Sequence, residues 1–356
     1  MYDTDAEGEL HAASLTLSPD PNLIRAKELL AAMTPEEKVG QLFLARFPAQ
    51  DAAARAAQYA LGGYILFARD FEHETPERIL SKINEVQQAQ KLGMLIGVDE
   101  EGGTVNRVSR FAQFRQTPFA SPQAVYAAGG FDGITADAAE KCAFLSALGI
   151  NLNFAPVCDV STSRADFMYP RAFGLPAEET AAYVRAVVRE NERCGMTSVL
   201  KHFPGYGDTA DTHTGIARDS RPYETFENSD LLPFRAGVAE GADMVLVAHT
   251  IVESMDETRP ASISPEVHAV LRAELGERVV VITDDLVMQG LRDFIGDSDA
   301  AVAAVEAGND LLCSSDFETQ VPAVLRALRD GTLTEARIDR SVLRILRLKL
   351  EKGILQ

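Results

Sequence analysis

The stretch from residue 201 to residue 213, KHFPGYGDTADTH, concentrates side chains that could do chemistry. Its titratable members are Lys201, His202, Asp208, Asp211 and His213. An apolar run over residues 197–200 precedes it and is typical of a buried strand, and the intervening glycines permit sharp turns. A capping aspartate in a surface turn would explain one such residue. Five of them in a loop that leaves a core strand indicate a functional site.

Composition limits the classes of protein to which the chain can belong. Of its 356 residues 46% are apolar, enough for a sizeable core. The net charge of -19 argues against nucleic acid and anionic membranes as partners. The acidic N-terminus lacks the apolar core of a signal peptide, and no run of about 18 apolar residues exists. We therefore expect a cytoplasmic protein, with a monomer favoured.

The four cysteines are scattered along the chain and have neither metal-ligand spacing nor the density of a disulfide framework. They are Cys142, Cys158, Cys194 and Cys313. We expect reduced and mostly buried thiols.

Short apolar runs alternate with helical patterns along the chain, which predicts a parallel sheet. Eight runs are present: 42–47, 63–67, 94–99, 151–157, 197–200, 244–248, 279–283 and 310–313. Their nearly continuous apolar character suits strands buried on both faces. The count of eight favours a single (β/α)8 TIM-type barrel over an open sheet. We expect residues 1–19 to be a loose lead-in and residues 20–356 to form one catalytic domain.

Polar residues follow the third to eighth strands directly, where a barrel places its active site. They are Asp99, Glu100 and Glu101; Asp159; Lys201 and His202; His249 and Thr250; Asp284 and Asp285; and Ser314, Ser315 and Asp316. Carboxylate, Arg and Lys side chains make charge-assisted hydrogen bonds to hydroxyls, so this pattern suits a polyhydroxylated ligand.

Other site chemistries have less support. No phosphate-binding glycine loop precedes a helix, so no nucleotide cofactor is predicted. A metal site built from His202, Asp208, Asp211 and His213 stays open as a minor alternative. His249 is either a packed strand-end residue or a ligand contact. His268, on an expected helix, is interpreted as a surface or core histidine.

Five stretches carry a resemblance to a known family. They are VDEEGGTVNR at 98–107, NLNFAPVCDV at 151–160, PRAFG at 170–174, the stretch 201–213, and ITDDLVM at 282–288. In this order they resemble glycoside hydrolase family 3, specifically its single-domain β-N-acetylglucosaminidases, or β-hexosaminidases. The resemblance spans roughly residues 35–350. It implies the barrel fold and a small-molecule carbohydrate substrate bearing terminal β-linked N-acetylglucosamine, from peptidoglycan or another glycan.

The resemblance also implies roles for single residues. Asp284 would be the nucleophile of a retaining hydrolase, with Asp285 the adjacent alternative. His213 would be the general acid/base and Asp211 its orienting partner. No cofactor or metal is implied. The sugar-contacting positions would be Asp99, Arg107, Arg171, Lys201 and His202.

The chain departs from the family pattern at Tyr206, where a second histidine is common, and at Thr212, where serine is common. Alternatives to a hydrolase remain open. A phosphorylase could use the same residues with phosphate in place of water. A β-glucosidase-like member of the family and a catalytically silent sugar-binding barrel are the others.

Overall fold

The computed structural model describes residues 20–207 and 217–355, which contain the eight predicted strands. They are β1 (Phe43–Arg46), β2 (Gly63–Leu66), β3 (Leu95–Val98), β4 (Leu152–Asn153), β5 (Thr197–Phe203), β6 (Met244–Val247), β7 (Val280–Thr283) and β8 (Leu312–Ser314). All pair in parallel, in the order β8-β1-β2-β3-β4-β5-β6-β7. A bridge between Ile282 of β7 and Leu311, which immediately precedes β8, closes the ring of strands. The fold is a single (β/α)8 barrel, as predicted.

Two strands differ from their predicted lengths for local reasons. β4 is much shorter than the predicted run 151–157, since Pro156 has no amide hydrogen for the ladder. The Asn153 side chain instead bonds the backbone of Glu100, accepting at 3.0 Å and donating at 3.2 Å. β5 is longer than predicted, because its pairing with β6 shifts register after Leu200 and resumes at Phe203. Lys201 and His202 therefore belong to the strand itself.

Helices separate the strands. They are α1 (Pro21–Ala31), α2 (Pro35–Gln41), α3 (Ala52–Tyr59), α4 (Pro76–Gln88), α5 (Pro122–Ser146), α6 (Ala177–Cys194), α7 (Leu231–Ala239), α8 (Pro265–Leu275), α9 (Asp297–Ala307), α10 (Phe317–Asp330) and α11 (Glu335–Glu351). The capping box of Thr34 and Glu37 at the start of α2 is present. α5 breaks at Gly130, where φ is 58°. Within the described ranges, no helix has the length and apolarity needed to cross a membrane.

Alternation along the strands sorts side chains into two layers. On β1 and β2, Leu44 and Ile65 point into the barrel. Phe43 and Ala45 on β1 point outward into a separate cluster beneath the helices. The barrel interior is filled by Leu44, Ile65, Leu95, Leu152, Phe154, Val199, Met244, Leu246, Val280, Ile282, Leu311 and Cys313. Because strand periodicity is two, the next inward position on each strand lies one step closer to the C-terminal face.

The expectation of four reduced cysteines is wrong for one pair. Cys142 on α5 and Cys194 at the end of α6 form a disulfide, with their Cα atoms 6.6 Å apart. The two helices pack side by side, which brings residues 52 positions apart together. That proximity comes from tertiary packing and leaves no trace in the spacing of cysteines. Cys158 and Cys313 are free and buried, as expected. The predicted lead-in, residues 1–19, lies outside the described residues.

A buried lysine on α11 gives a prediction about stability. Lys349 is fully buried and donates to Gln41 Oε1 at 2.7 Å, and burial lowers its pKa to about 7. The unfolded chain therefore holds the proton more tightly, so this group's contribution to stability rises as the pH climbs from about 7 to about 10. We expect Lys349→Met to stabilise the fold by about 3 kcal/mol at pH 6, with the gain shrinking towards pH 10.

Urea unfolding of wild type and variant at pH 6 and pH 9.5 measures this difference. Lys352→Met is the matched control, because Lys352 pairs with the buried Asp243 carboxylate at 2.9 Å and its loss should destabilise the protein. A Lys349→Met variant that is less stable than wild type at pH 6 would contradict the prediction.

Candidate active site

Charged side chains occupy the inward position that follows the barrel core on several strands. Lys201 lies two residues after the inward-facing Val199, and Asp284 lies two residues after the inward-facing Ile282. Asp99 follows the inward-facing Leu95 by four residues, which is two inward positions. They surround Cys313 on β8. Burial raises the pKa of this thiol, and the charges of Asp285, Asp284 and Asp99 raise it further, whereas Lys201 lowers it. Asp99, Lys201 and Asp284 thus lie around one end of the barrel.

Lys201 lies at the centre of this end. Only 1% of the residue is exposed, and its Nζ lies 2.6 Å from Asp99 Oδ1 and 2.7 Å from Glu101 Oε1. The Phe154 ring lies beneath it at 5.8 Å. A buried ammonium needs such partners, because desolvation alone would favour its neutral form. Two carboxylates from the end of β3 therefore pair with the buried lysine of β5.

Arg171 extends the cluster from the loop after β4. It donates to Glu101 from Nε at 2.9 Å and from Nη2 at 2.6 Å, a bidentate pair. Burial tends to raise the pKa of Glu101, but the adjacent charges of Lys201 and Arg171 lower it well below its ordinary value. Glu101 is therefore an anion that fixes two cations, and it faces protein groups on both oxygens.

His202 is held by protein groups at both ring nitrogens. Its Nδ1 lies 2.8 Å from Asp159 Oδ2, and its Nε2 lies 3.2 Å from Arg171 Nη2. An arginine only donates hydrogen bonds, so His202 Nε2 is the acceptor. The Nδ1–H group of the ring donates to Asp159. Asp159 is itself buried and also accepts from the Tyr206 amide at 2.8 Å. His202 is thus oriented by the carboxylate that also fixes the start of the following loop.

Arg107 and Asp99 lie near one another at the end of β3. Arg107 Nε is 3.8 Å from Asp99 Oδ2, which is too long for a hydrogen bond. This Nε atom is buried and has no hydrogen-bond partner within residues 20–207 and 217–355. The Nε–H of Arg107 is therefore a donor without a protein acceptor in the described ranges.

Asp284 and Asp285 diverge after β7. Asp285 accepts from the amides of Ser315 at 3.0 Å and Val287 at 3.3 Å, and from the Ser315 hydroxyl. Its carboxylate therefore ties β7 to β8. The half-buried Asp284 accepts from the Asp285 amide at 2.8 Å and lies in the inward layer. Of the two acids, Asp284 has the position from which a ligand could be attacked.

The expected acid/base pair, His213 and Asp211, falls in residues 208–216, outside the described residues. The chain on either side of this segment is fixed by Arg221. Its guanidinium donates to Gly205 O at 3.3 Å, to Asp230 and to Asp219. Gly207 has φ 54°, a left-handed conformation that favours glycine, and its Cα lies against the Arg221 guanidinium.

Two further histidines, His249 and His268, have structural roles. His249 is fully buried, with Nδ1 2.7 Å from Ser262 Oγ and Nε2 3.1 Å from Asp285 O, so it is a packed strand-end residue. His268 is a core residue of α8. Of the four residues in the metal alternative, only His202 lies in the described part of the chain, where no group of metal-ligating side chains is found.

Sequence reasoning missed the roles of Glu101, Asp159 and Arg221. The first two were visible as acids at strand ends, which is the signal that could have selected them. Arg221 follows the loop rather than a strand, and nothing in its sequence surroundings marks it.

Comparison with known proteins shows the family of the chain. The Glycosyl hydrolase family 3 N terminal domain matches residues 34–348, and the chain belongs to that family. A beta-hexosaminidase of Methylococcus capsulatus is 35% identical over an alignment of 303 residues, and the match covers 80% of this chain and 88% of that protein. Beta-hexosaminidase A of Pseudoalteromonas piscicida is 32% identical, over 82% of this chain and 54% of its own length.

A solved structure resembles the whole barrel. The glycoside hydrolase family 3 beta-N-acetylglucosaminidase from a Paenibacillus species superposes with a TM-score of 0.85 at 35% identity. The match covers 91% of this chain and 63% of that one, so this chain spans less than two thirds of its length.

The buried pairs of Glu101 give a second prediction. Glu101→Gln removes the anion that lies against two buried cations, so we expect a loss of about 3 kcal/mol in the free energy of unfolding at pH 7. Because folding lowers the pKa of Glu101, its stabilisation is present above pH ~4.5 and is lost as the pH falls below that value. The gap between wild type and variant should therefore narrow in acid.

Urea unfolding between pH 3.5 and pH 7 measures this gap. Glu140→Gln is the control, because the Glu140 pair with Arg115 is largely exposed and should be worth less than ~1 kcal/mol. Equal losses in both variants, or a gap that does not change with pH, would refute the role given to Glu101.

Proposed function

We propose that this chain is a retaining exo-β-N-acetylglucosaminidase that removes terminal β-linked N-acetylglucosamine from peptidoglycan-derived or other glycans. The single observation that carries the proposal is the convergence of Asp99, Lys201 and Asp284 on one end of the barrel. Carboxylates and cations in that arrangement suit the hydroxyls of a sugar. The names of the relatives, beta-hexosaminidase and beta-N-acetylglucosaminidase, support the choice of substrate.

In the proposed reaction Asp284 attacks the anomeric carbon and forms a covalent glycosyl-enzyme. His213, protonated, donates to the leaving oxygen and then takes a proton from the incoming water. Asp211 orients the His213 ring and favours its protonated form. An imidazole with an ordinary pKa of about 6.5 is suited to both proton transfers near neutral pH.

The charged cluster prepares the glycone pocket for this reaction. We assign sugar contacts to Asp99, Arg107, Arg171, Lys201 and His202. Arg107 has a buried donor that no protein atom in the described ranges satisfies, which supports its assignment. Arg171 and His202 face each other, so their contribution includes holding one another in place. We also assign to Lys201 the role of a positive charge close to the negative charge of the nucleophile.

The test compares the two neighbouring acids. Asp284→Asn should lower kcat for 4-nitrophenyl N-acetyl-β-glucosaminide by about 1000-fold or more, because an amide cannot form the glycosyl-enzyme. Asp285→Asn is the matched control. Its amide oxygen can still accept from the backbone, so activity should fall by no more than ~10-fold. Full activity in Asp284→Asn, or a greater loss in Asp285→Asn, would overturn the assignment.

The same substrate separates the competing reactions. A hydrolase releases N-acetylglucosamine at the same rate in phosphate and in a non-phosphate buffer of equal ionic strength, and we expect this result. A phosphorylase would instead give the sugar 1-phosphate and accelerate with phosphate. A folded wild-type protein that releases no 4-nitrophenol would favour the silent sugar-binding barrel.

The cytoplasmic location stays a prediction. The Cys142–Cys194 disulfide favours an oxidising compartment, where such bonds persist. Counting thiols by alkylation in the source cells, before lysis, decides between the two. Four free thiols would support the cytoplasm and two would support an oxidising compartment.

A further inference from the structure

Arg46 belongs to the same inward layer as the charged residues of the site. It is the last residue of β1 and follows the inward-facing Leu44 by two positions. Its neighbour in this layer is Phe67, which directly follows β2 and packs against the barrel interior. No role for Arg46 follows from the mechanism described above.

The surroundings of Arg46 differ from those of the other buried cations at this end. Its Cζ lies 4.7 Å from the centre of the Phe67 ring, which supports one face of the guanidinium. Its Nε is buried without a hydrogen-bond partner within residues 20–207 and 217–355. Asp70 and Asp285 act on it through space only, and Arg69 opposes them. By contrast, Lys201 and Arg171 each have a carboxylate oxygen at 2.6 Å.

An arginine in this position is poised for an incoming anion. Burial lowers the pKa of Arg46, so its charged form is destabilised by desolvation. A bound oxyanion would remove this cost and would use the planar donor fork, which matches carboxylate, sulfate and phosphate groups. Arg46 as a residue is half-buried rather than fully enclosed.

The strand order shows where such a group would sit. β1 and β5 lie opposite one another in the eight-stranded ring, while β3 and β7 flank β1 at equal distance around it. In a bound pyranose with its anomeric carbon at Asp284 and the opposite end of the sugar at Asp99, the two remaining edges of the sugar would face Lys201 and Arg46. Arg46 would therefore meet a substituent on one edge of the sugar.

We propose that Arg46 forms an oxyanion subsite in the barrel mouth, which binds a sulfate, phosphate or carboxylate group either as a substituent of the bound sugar or as a free ion. The inference deepens the proposed function, because it places the anion beside the glycone. With the anion as a substituent, the enzyme favours the anionic sugar over its neutral counterpart; with the anion as a free ion, it binds the inorganic oxyanion itself.

The test measures binding rather than turnover. Calorimetry with wild type, Arg46→Met and Arg46→Lys uses three probes: inorganic sulfate, N-acetylglucosamine 6-sulfate and N-acetylglucosamine, with chloride added to equal ionic strength. We expect wild type to bind inorganic sulfate more tightly than chloride, or N-acetylglucosamine 6-sulfate more tightly than N-acetylglucosamine. Arg46→Met should weaken that binding roughly tenfold or more. Arg46→Lys should fall between, because it keeps the charge and loses the fork.

The two arms separate the sources of the anion. Tight binding of inorganic sulfate indicates a free ion, and a preference confined to the sulfated sugar indicates a substituent. Arg78→Met is the control, because Arg78 is exposed and paired with Glu74. Equal binding by wild type and both Arg46 variants, or no preference of wild type for either sulfated probe, would overturn the subsite. Since no readout is catalytic, failure of the proposed hydrolysis would be seen separately, in the 4-nitrophenol assay.

Discussion

The buried ammonium of Lys201 is the group on which the candidate site depends. It lies between the carboxylates of Asp99 and Glu101, and Glu101 in turn holds Arg171. Opposite charges at these distances attract strongly in a low-dielectric interior, but each has lost its water. Removing one member leaves a buried charge without compensation. Any partial version of the cluster is therefore less stable than the complete one, which favours a single geometry.

This constraint connects three separate parts of the chain. Glu101 comes from the end of β3, Arg171 from the loop after β4, and Lys201 from within β5. The network of contacts continues through His202 to Asp159, which also accepts a hydrogen bond from the Tyr206 amide. A network of charges thus sets both the floor of the pocket and the direction in which residues 204–207 leave the barrel. Arg221 fixes the chain again beyond the loop, through Gly205, Asp219 and Asp230.

Much of the fold was predictable from the sequence, since the strands are short apolar runs separated by clear helix caps. All eight runs are strands, and the capping box at Thr34 is present. The lengths of β4 and β5 were not predictable, because they depend on Pro156 and on a register shift against β6. The positions of Asp99, Lys201 and Asp284 at strand ends were also predictable from alternation with a barrel assumed.

The pairings within the site were not predictable in the same way. Lys201 and Asp99 are 102 residues apart, and no local pattern joins them. The disulfide has the same origin, in the packing of α5 against α6. Arg46 is a single charged residue at the end of β1, and its lack of a carboxylate partner is visible only in three dimensions. Local rules thus located the groups, and tertiary contacts determined what each one faces.

The central claim is that the carboxylate of Asp284 bonds the anomeric carbon of the sugar while an imidazole serves the opposite side of the same linkage. The most direct measurement is peptide mapping by mass spectrometry after rapid acid quenching during turnover of an activated substrate. We expect a sugar adduct on the peptide that contains Asp284, localised to that residue by fragmentation. An adduct on Asp285 or another side chain, or a product of inverted anomeric configuration by NMR, would contradict it.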